Sequence, residues 1–437
     1  MKTAISSNPT RIRRWFALAS ILAMVLTASL PSRAATPADR LVARGGYLAK
    51  IGDCAACHTV RGGADFVGGL PMQMPVGTIY TTNITPDPDT GIGRYTRDDF
   101  ERALRHGVAR DHNLYPAMPY PSFSKISDED VDALYAYFMK GVKPIKQRNR
   151  QSDIPWPFDM RWPLKLWNLF FLDDTVYRAK PNKDPIWNRG AYLVQGLAHC
   201  GACHTPRGMA MQELALDEKS QTFLSGASLD GWFASNLTGD NNAGLGRWTE
   251  NDLHMFLKTG ANVHASAYGP MTDVVNNSTQ YLSDEDQIAI ARYLRSLVPS
   301  HAGDVNEREP YRYDGQITST LVAGTPLPNG AHVYLTYCAN CHGVDGRGRA
   351  PFIAPLAGNP DVLGTNPLSL INVTINGAAN LVVGGVPAAY PMPRFRLGLT
   401  NQDIADVLSF VRSGWNNRAP EIKAQDVAKV RASTSGK

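Results

Sequence analysis

Apolar residues recur at helical spacing at three places along the chain, in the stretches 131–138, 288–297 and 404–411. Apolar positions three or four residues apart lie on one face of a helix. Each stretch follows a Ser or Thr that has an Asp three positions later, which is a polar pattern typical of a helix N-terminus. The pattern predicts three amphipathic helices, each of which buries one stripe of side chains.

Other features recur in step with these helices. The segment Gly46–Leu48 returns as Gly190–Leu193, and Asn83–Thr85 returns as Asn236–Thr238. The first two thirds of the chain therefore contain two consecutive units that are near duplicates of each other. A repeat of this length predicts one folded unit per copy. The last third departs from this pattern and contains the basic, glycine-rich segment Gly346–Arg349.

The N-terminal segment has the pattern of a targeting sequence. Basic residues precede an apolar stretch from Trp15 to Leu30, which is followed by Ser32-Arg33-Ala34. This order predicts a secretory signal peptide over residues 1–34 that is cleaved on export. The alternative is a retained anchor helix, although sixteen residues are short for a membrane span.

The formal net charge of +5 belongs to this N-terminal segment. Residues 1–34 contain five Lys or Arg and no Asp or Glu, so the remaining chain has a formal net charge of zero. A balanced charge gives no support for nucleic-acid binding. The remaining chain of about four hundred residues is too long for one hydrophobic core and predicts several domains.

One pentapeptide occurs three times and uses all six cysteines of the chain. The copies are Cys54-Ala55-Ala56-Cys57-His58, Cys200-Gly201-Ala202-Cys203-His204 and Cys338-Ala339-Asn340-Cys341-His342. Two thiols three positions apart on one helical turn reach the two vinyl groups of a porphyrin, and the adjacent histidine binds its iron. The chain is thus predicted to hold three covalently bound c-type haems. The expected attachment residues are Cys54, Cys57, Cys200, Cys203, Cys338 and Cys341, and the expected iron ligands are His58, His204 and His342.

Two other kinds of site use paired cysteines. A structural zinc site needs four ligands closed around one metal, whereas each pair here has its own histidine. A redox dithiol is expected once, near a strand and a helix, without a repeated histidine. Haem attachment takes place outside the cytoplasm, which agrees with export and predicts a location on the periplasmic side of the bacterial inner membrane.

A second axial ligand is expected for each iron. Electron-transfer cytochromes commonly use a methionine, and Met118, Met271 and Met392 each adjoin a proline and follow a tyrosine. Proline limits the backbone of its loop, which lowers the entropy cost of pointing the sulfur at iron. The rival ligands are Met72, Met74 and His106 for the first haem, and Met209, Met211, Met255 and His264 for the second. Met392 has no rival methionine after Met271.

These features predict a signal peptide (1–34), domain 1 (35–143), a linker (144–184), domain 2 (185–300), a second linker (301–322), domain 3 (323–416) and a polar tail (417–437). The first linker contains three of the eight tryptophans. We expect this aromatic segment to staple domains together, to dock a partner subunit or to contact the bilayer surface.

Each repeat resembles class I cytochrome c in its order of a Cys-x-x-Cys-His helix, Gly/Pro-rich loops and a closing amphipathic helix. This implies an all-α fold with three tandem domains. The mature chain resembles the three-haem cytochrome c subunit of bacterial membrane-bound dehydrogenases for alcohol, gluconate, fructose and related sugars. Its most specific marks are Leu114–Tyr120 and Pro355–Pro360.

The resemblance implies an electron-transfer subunit that does not itself oxidise the substrate. A partner quinoprotein or flavoprotein subunit would oxidise a CH–OH donor, and this chain would pass the electrons to ubiquinone while contacting the cytoplasmic membrane peripherally. Three alternatives stay open: a cytochrome subunit of a molybdenum-dependent dehydrogenase, the cytochrome arm of a terminal oxidase, and a multihaem c-type enzyme. The last needs an iron with an open sixth position, whereas every repeat offers a methionine.

Overall fold

The computed structural model describes residues 35–301, 303–324 and 326–435. The predicted signal peptide, residues 1–34, lies outside the described residues. The chain divides into Met1–Arg40 and Leu41–Lys437. In the described part of the first segment, the Thr36 hydroxyl donates to the Asp39 carboxylate at 2.7 Å, across the turn at which the first helix begins. We refer below to residues 35–143, 185–300 and 323–416 as repeats 1, 2 and 3.

Repeat 1 is mainly helical, with one short hairpin. Its helices are α1 (Pro37–Ile51), α2 (Cys54–His58), α3 (Arg97–His106), α4 (Tyr120–Phe123) and α5 (Asp128–Ala136), and its strands are β1 (Pro71–Met74) and β2 (Gly77–Tyr80). The strands pair antiparallel, with Pro71 opposite Tyr80. A π-helical turn, Tyr137–Gly141, extends α5. The linker that follows contains helix α6 (Leu164–Phe171).

Repeat 2 has the same order of elements. Its helices are α7 (Pro185–Gln195), α8 (Gly201–His204), α9 (Glu250–Thr259), α10 (Pro270–Asn277) and α11 (Asp284–Arg295), and its strands are β3 (Ala227–Leu229) and β4 (Trp232–Ala234). The strands again form an antiparallel hairpin, with Ala227 opposite Ala234. Short 3₁₀ turns occupy Thr279–Tyr281 and Val305–Glu307.

Helix α12 (Gln316–Ala323) lies in the second linker and ends at the first residue of repeat 3. The helices of repeat 3 are α13 (Ala331–Tyr337), α14 (Ala339–His342), α15 (Pro360–Leu363), α16 (Leu368–Asn376) and α17 (Asn401–Ser413), and its strands are β5 (Val382–Val383) and β6 (Val386–Pro387). A 3₁₀ turn, Gly414–Asn416, ends α17. Helices thus dominate all three repeats, which confirms the helical character of the predicted all-α fold, while each repeat also contains one short antiparallel hairpin.

The three closing helices α5, α11 and α17 begin where the sequence predicts. The side chains of Ser127, Ser283 and Thr400 each accept a hydrogen bond from the backbone N–H three residues later. In α17 Asp403 also accepts from the backbone N–H of Thr400, which completes a capping box. These caps satisfy backbone donors that have no partner within the helix.

The first helix of each repeat crosses the closing helix at a glycine. A Cβ on Gly45 would lie 1.9 Å from the Ala133 carbonyl oxygen, and a Cβ on Gly190 would lie 1.9 Å from that of Ala289. In repeat 3, a Cβ on Gly330 would lie 2.1 Å from a carbonyl oxygen of the closing helix. Only glycine permits these close backbone approaches, so the crossing is common to all three repeats.

Repeats 1 and 2 share one hydrophobic core, whereas repeat 3 has a core of its own. Leu48 and Leu134 of repeat 1 lie in the shared core with Leu193 and Tyr293 of repeat 2, and all four are buried. Because apolar surface from both repeats leaves water together, their folding is coupled. The tandem arrangement is therefore a closely packed pair followed by a third unit.

Two matching hydrogen-bond clusters also join repeats 1 and 2. Tyr192 donates to Asp130 at 2.5 Å, and Tyr47 donates to Asp286 at 2.6 Å. Each carboxylate also accepts from an arginine of its own repeat, at 2.8 and 2.7 Å. Each repeat thus offers a tyrosine to the closing helix of the other, as the two copies do in a twofold-symmetric dimer.

The linker 144–184 contacts both repeat 1 and repeat 2. Trp167 of α6 packs against Tyr120 of repeat 1 with ring centroids 6.0 Å apart. Its indole N–H donates to the Ala210 carbonyl of repeat 2 at 2.8 Å. The aromatic linker therefore has one face bound to the repeats.

The structure differs from the predicted polar tail at residues 417–437. Helix α18 (Ala424–Ser433) lies there, and its Val427 and Val430 are buried in the core of repeat 3. Two apolar residues three positions apart are too few to reveal a helix in the sequence.

Within the described ranges, no helix combines the length and the apolar character needed to cross a bilayer.

Candidate functional site

Each pentapeptide forms a single helical turn directly after the first long helix of its repeat. The turns are α2, α8 and α14, and Cys200 and Cys338 stand immediately before the last two. One turn brings residues three and four positions apart to the same side, so both cysteines and the histidine can face one ligand. None of the six cysteines is paired in a disulfide.

The three histidines of these turns share one hydrogen bond. Nδ1 of His58 lies 2.7 Å from the Thr82 carbonyl oxygen, and Nδ1 of His204 lies 2.6 Å from that of Ser235. The corresponding distance from His342 to a backbone carbonyl is 2.9 Å. A carbonyl oxygen only accepts, so Nδ1 holds the proton and Nε2 keeps its lone pair. This tautomer and this backbone contact are typical of histidines that bind a metal ion.

Burial keeps these imidazoles neutral. It lowers the pKa of His58, His204 and His342, and the hydrogen bond to the carbonyl opposes burial only in part. The charge of Asp361 acts on the pKa of His204 in the same direction as that hydrogen bond. Neutral imidazole is the form that binds iron, so the rings need lose no proton to act as ligands.

Four of the thiols have pKa values shifted in the opposite direction to those of a zinc site or a redox dithiol. Burial raises the pKa of Cys54 to about 12 and that of Cys57 to about 11. It also raises the pKa of Cys200 and of Cys338 to about 12. Reactive and metal-binding cysteines have lowered pKa values. Across the described ranges, no three His, Cys, Asp or Glu side chains are grouped so as to hold a metal ion. Both alternatives are therefore disfavoured.

Met118 is partly buried and packs against the shared core. The tyrosine three positions before it, Tyr115, donates to the Phe158 carbonyl of the linker at 2.7 Å. The linker thus holds the loop that carries Met118. Its rivals Met72 and Met74 lie in the hairpin strand β1.

Met271 is the second residue of α10 and packs against a small cluster formed with Val275 and Leu381. Helix α10 also contacts α2 of repeat 1, which carries the first pair of cysteines. Two of the rivals are more open, since Met209 is 105% exposed and Met255 is 38% exposed, whereas Met211 is partly buried. Met271 is therefore better placed than either to close a buried site.

The two rival histidines have structural contacts of their own. His264 stacks on Trp248 with centroids 5.3 Å apart and lies 3.4 Å from the Asp252 carboxylate. His106 is the last residue of α3, and its carbonyl accepts from the Asn168 side chain at 2.8 Å. The ring contacts of His264 favour Met271 as the ligand in repeat 2, whereas the His106 contact involves only its backbone.

Met392 lies beside a cavity of about 610 Å³. The cavity is bounded by residues of all three repeats, among them Arg61, Asp273 and Asn376. The Met392 carbonyl accepts from the Ala378 N–H at 2.9 Å, which fixes the backbone of its loop. The sequence therefore placed Met392 correctly on a loop but gave no sign of the cavity next to it.

Six buried side-chain atoms of repeat 2 have no hydrogen-bond partner among the described residues. Among them are Trp248 Nε1, Ser266 Oγ and Thr272 Oγ1, and Thr272 adjoins Met271. Each of these three atoms can donate, so a group that carries carboxylate oxygens, as the propionates of haem do, would satisfy them. The residues of this repeat therefore fit a bound haem c.

Arg94 and Arg247 occupy corresponding positions in repeats 1 and 2 but make different contacts. Arg94 pairs with Asp89 at 2.9 Å on the surface of repeat 1. Arg247 donates to the Gly358 carbonyl of repeat 3 at 2.5 Å and lies over the Tyr311 ring. Arg247 therefore connects repeats 2 and 3, whereas Arg94 makes only a local ion pair.

The sequence analysis did not predict which backbone groups accept hydrogen bonds from the three histidines. Thr82 and Ser235 directly precede the repeated Asn-x-Thr segments, so the repeat itself contained a signal for them. Asp361 gave no such signal, because it lies in repeat 3 and contacts residues of repeat 2.

Known proteins resemble this chain over most of its length. The cytochrome c family model matches residues 42–141 and 328–415. The gluconate 2-dehydrogenase cytochrome c subunit of Pantoea cypripedii is 51% identical, over 94% of this chain and 95% of that protein. The cytochrome c subunit of the quinone alcohol dehydrogenase of Gluconacetobacter polyoxogenes is 50% identical, over 90% and 84%. The fructose dehydrogenase cytochrome subunit of Gluconobacter japonicus is 38% identical, over 90% and 82%.

Proposed function

Since the chain belongs to the family of cytochrome c subunits of gluconate, alcohol and fructose dehydrogenases, we propose that it carries electrons through three haems from a catalytic subunit to ubiquinone. The observation that carries this proposal is the threefold recurrence of one arrangement. In every repeat a Cys-x-x-Cys-His turn holds a histidine whose Nδ1 faces a backbone carbonyl.

Each repeat would hold one haem c. The attachment residues are Cys54 and Cys57, Cys200 and Cys203, and Cys338 and Cys341; the axial pairs are His58 with Met118, His204 with Met271, and His342 with Met392. Bound haem supplies one-electron chemistry at its iron. The protein fixes the imidazoles by their backbone hydrogen bonds and keeps them neutral through burial.

Contacts between the repeats support electron transfer along the chain. Helix α10 lies against α2, so the candidate ligand helix of repeat 2 touches the attachment turn of repeat 1. Repeat 3 reaches repeat 2 through Asp361, which accepts from Ser235 at 2.6 Å and from Tyr268 at 2.8 Å. Each site thus has a direct structural connection to the next.

The electron donor would be a quinoprotein or flavoprotein subunit that oxidises an alcohol, gluconate or a sugar at a CH–OH group. This chain would bind no organic substrate of its own. After cleavage of residues 1–34 it would lie on the periplasmic side of the inner membrane. The relatives support a dehydrogenase partner, because they are named as cytochrome subunits of a gluconate dehydrogenase, a quinone alcohol dehydrogenase and a fructose dehydrogenase.

The outer face of the linker 144–184 suits peripheral contact with the membrane. Trp156, Trp162 and Phe170 are 78%, 61% and 74% exposed. The linker contains eight Lys or Arg and five Asp or Glu, a formal net charge of +3 within a mature chain of net charge zero. Exposed aromatic rings beside basic residues favour an anionic lipid surface.

The membrane contact is tested by replacing Trp156 and Trp162 with serine together. Cosedimentation with vesicles that contain anionic lipid should fall, because two interfacial aromatic rings are lost. Leu397→Ser is the matched control, since Leu397 is 99% exposed but lies in repeat 3. Equal binding by the double variant and the control would contradict this contact.

The electron path is tested in the purified complex with the Met392→Ala variant. Ubiquinone reduction should fall at least about tenfold, because loss of the thioether lowers the potential of the third haem. Reduction of an artificial acceptor at the catalytic subunit should keep its rate. Met209→Ala is the matched control on a fully exposed methionine. Unchanged ubiquinone reduction in the Met392→Ala complex would contradict the proposed path.

A further inference from the structure

Repeats 1 and 2 differ in the partner of the tyrosine that precedes the candidate methionine by three positions. In repeat 1, Tyr115 donates to the neutral Phe158 carbonyl at 2.7 Å. In repeat 2, Tyr268 donates to Oδ2 of Asp361 at 2.8 Å. Asp361 belongs to repeat 3, so the third repeat places a carboxylate beside the site of the second.

This carboxylate is connected to the proximal histidine of repeat 2. Oδ1 of Asp361 accepts from the Ser235 hydroxyl at 2.6 Å. The Ser235 carbonyl in turn accepts from Nδ1 of His204 at 2.6 Å. His204, Ser235, Asp361 and Tyr268 therefore form one continuous series of contacts at the repeat 2 site.

Repeat 1 provides an internal comparison. Thr82 takes the place of Ser235, and its carbonyl accepts from His58 at 2.7 Å. In the part of the chain that the structure describes, no carboxylate hydrogen-bonds to Thr82 or Tyr115. The two sites thus share the histidine contact, and among the described residues only the repeat 2 contact has a carboxylate, that of Asp361, bonded to the residue that accepts from the histidine.

A negative charge near an iron stabilises the more positive, oxidised state. Contacts beyond the axial ligands tune a metal site in this way, and partial burial strengthens the effect by reducing solvent screening. Asp361 is partly buried, and both of its oxygens accept hydrogen bonds from hydroxyl groups. Its charge therefore acts at short range on the repeat 2 site.

We propose that Asp361 is a positioning residue, supplied by repeat 3, that lowers the reduction potential of the haem in repeat 2. This inference rests on the proposed attachment of haem c at Cys200 and Cys203. It makes the potential of one haem depend on the docking of the next repeat.

The test is a potentiometric titration of the full chain with its haems, followed by optical absorption. In Asp361→Asn, one of the three one-electron waves should move to higher potential by about 59 mV, which corresponds to a change of about tenfold in the equilibrium constant of reduction. The other two waves should stay in place. Asp361→Glu should keep most of the low potential. Tyr268→Phe should move the same wave to lower potential, because the Asp361 charge loses one compensating donor.

The wave is assigned to repeat 2 by Met271→His, since replacement of an axial methionine lowers the potential of its own haem. Glu285→Gln is the matched charge control, because Glu285 is an exposed acid of the same repeat and its charge is screened by water. Should Asp361→Asn not fold, Tyr268→Phe still tests the proposal with the opposite sign.

Two outcomes would overturn the proposal. One is an unchanged repeat 2 wave in Asp361→Asn or Tyr268→Phe, and the other is a shift in the wrong direction. Mass spectrometry of the same samples separates this failure from failure of the proposed function. Three attached haems with unchanged potentials reject the role of Asp361 alone, whereas a missing haem at Cys200 and Cys203 rejects the premise.

Discussion

Repeats 1 and 2 are joined through their interior, whereas repeat 3 is joined to repeat 2 mainly at its surface. The first two share a continuous core and two matching Tyr–Asp contacts. Repeat 3 has a separate core and contacts repeat 2 through hydrogen bonds and one small apolar cluster. The same kind of repeat can therefore form either a coupled pair or a separately stabilised unit, depending on which faces are apolar.

The largest expected effect comes from removing the indole at the centre of the repeat 3 core. Trp415 is 1% exposed and its ring lies 5.2 Å from that of Tyr334. Trp415→Ala should lower the free energy of unfolding of repeat 3 by about 3–5 kcal/mol, because it leaves a cavity in the core. Hydrogen exchange resolved by peptide should show faster exchange in repeat 3 and unchanged exchange in repeats 1 and 2.

The matched variant is Trp187→Ala in the shared core. Trp187 is 3% exposed, and its ring lies 5.1 Å from that of Tyr293. This change should accelerate exchange in repeats 1 and 2 together and leave repeat 3 unchanged. Equal acceleration in all three repeats with either variant would contradict the division into two cores.

A smaller effect is expected from neutralising Asp130. Its side chain is 1% exposed and accepts from Arg44 and from Tyr192 of repeat 2. Asp130→Asn should lower the free energy of unfolding of the repeat 1–repeat 2 pair by about 1–3 kcal/mol, since hydrogen bonds to a buried charge are lost. Denaturant unfolding would measure the loss, and the exposed Asp98→Asn change serves as control.

Removal of one tyrosine hydroxyl should lower the free energy of unfolding by less than the Asp130→Asn change does. Tyr47→Phe and Tyr192→Phe each remove one donor to a carboxylate of the other repeat. Each should lower the free energy of unfolding of the pair by about 1 kcal/mol, and the two effects should be nearly equal because the contacts match. A strongly unequal pair of values would argue against the twofold relation between the repeats.

The pH dependence gives the smallest effect. Burial acts to raise the pKa of Asp286, but its hydrogen bonds with Arg189 and Tyr47 outweigh burial and hold the pKa below its ordinary value. This contribution to stability is present above about pH 4 and is lost as the pH falls through the lowered folded-state pKa. Asp286→Asn should weaken the acid sensitivity of repeats 1 and 2 in unfolding measurements between about pH 6 and about pH 3. An unchanged acid profile would contradict this assignment.

The parts that the sequence predicted are those set by short-range patterns. The Cys-x-x-Cys-His turns and the capped closing helices lie where spacing places them, because each depends on residues within a few positions. Helix α18 was missed, because its burial depends on the distant core of repeat 3. The contact of Asp361 with Tyr268 joins residues 93 positions apart, and no local pattern records it.

The sequence predicted three tandem domains, of which the first two are near duplicates, but it did not predict how the domains pack. In the structure, repeats 1 and 2 share one core. Motif spacing indicates where each attachment site lies along the chain and says nothing about which faces of the repeats are apolar toward each other.

The most direct test of haem attachment at all three motifs is the mass of the processed, exported polypeptide. We expect a chain cleaved after residue 34 that carries three haem additions. We further expect Cys57→Ser, Cys203→Ser and Cys341→Ser each to weaken attachment at one motif while the other two stay loaded. A processed chain with fewer than three additions would contradict attachment at all three motifs.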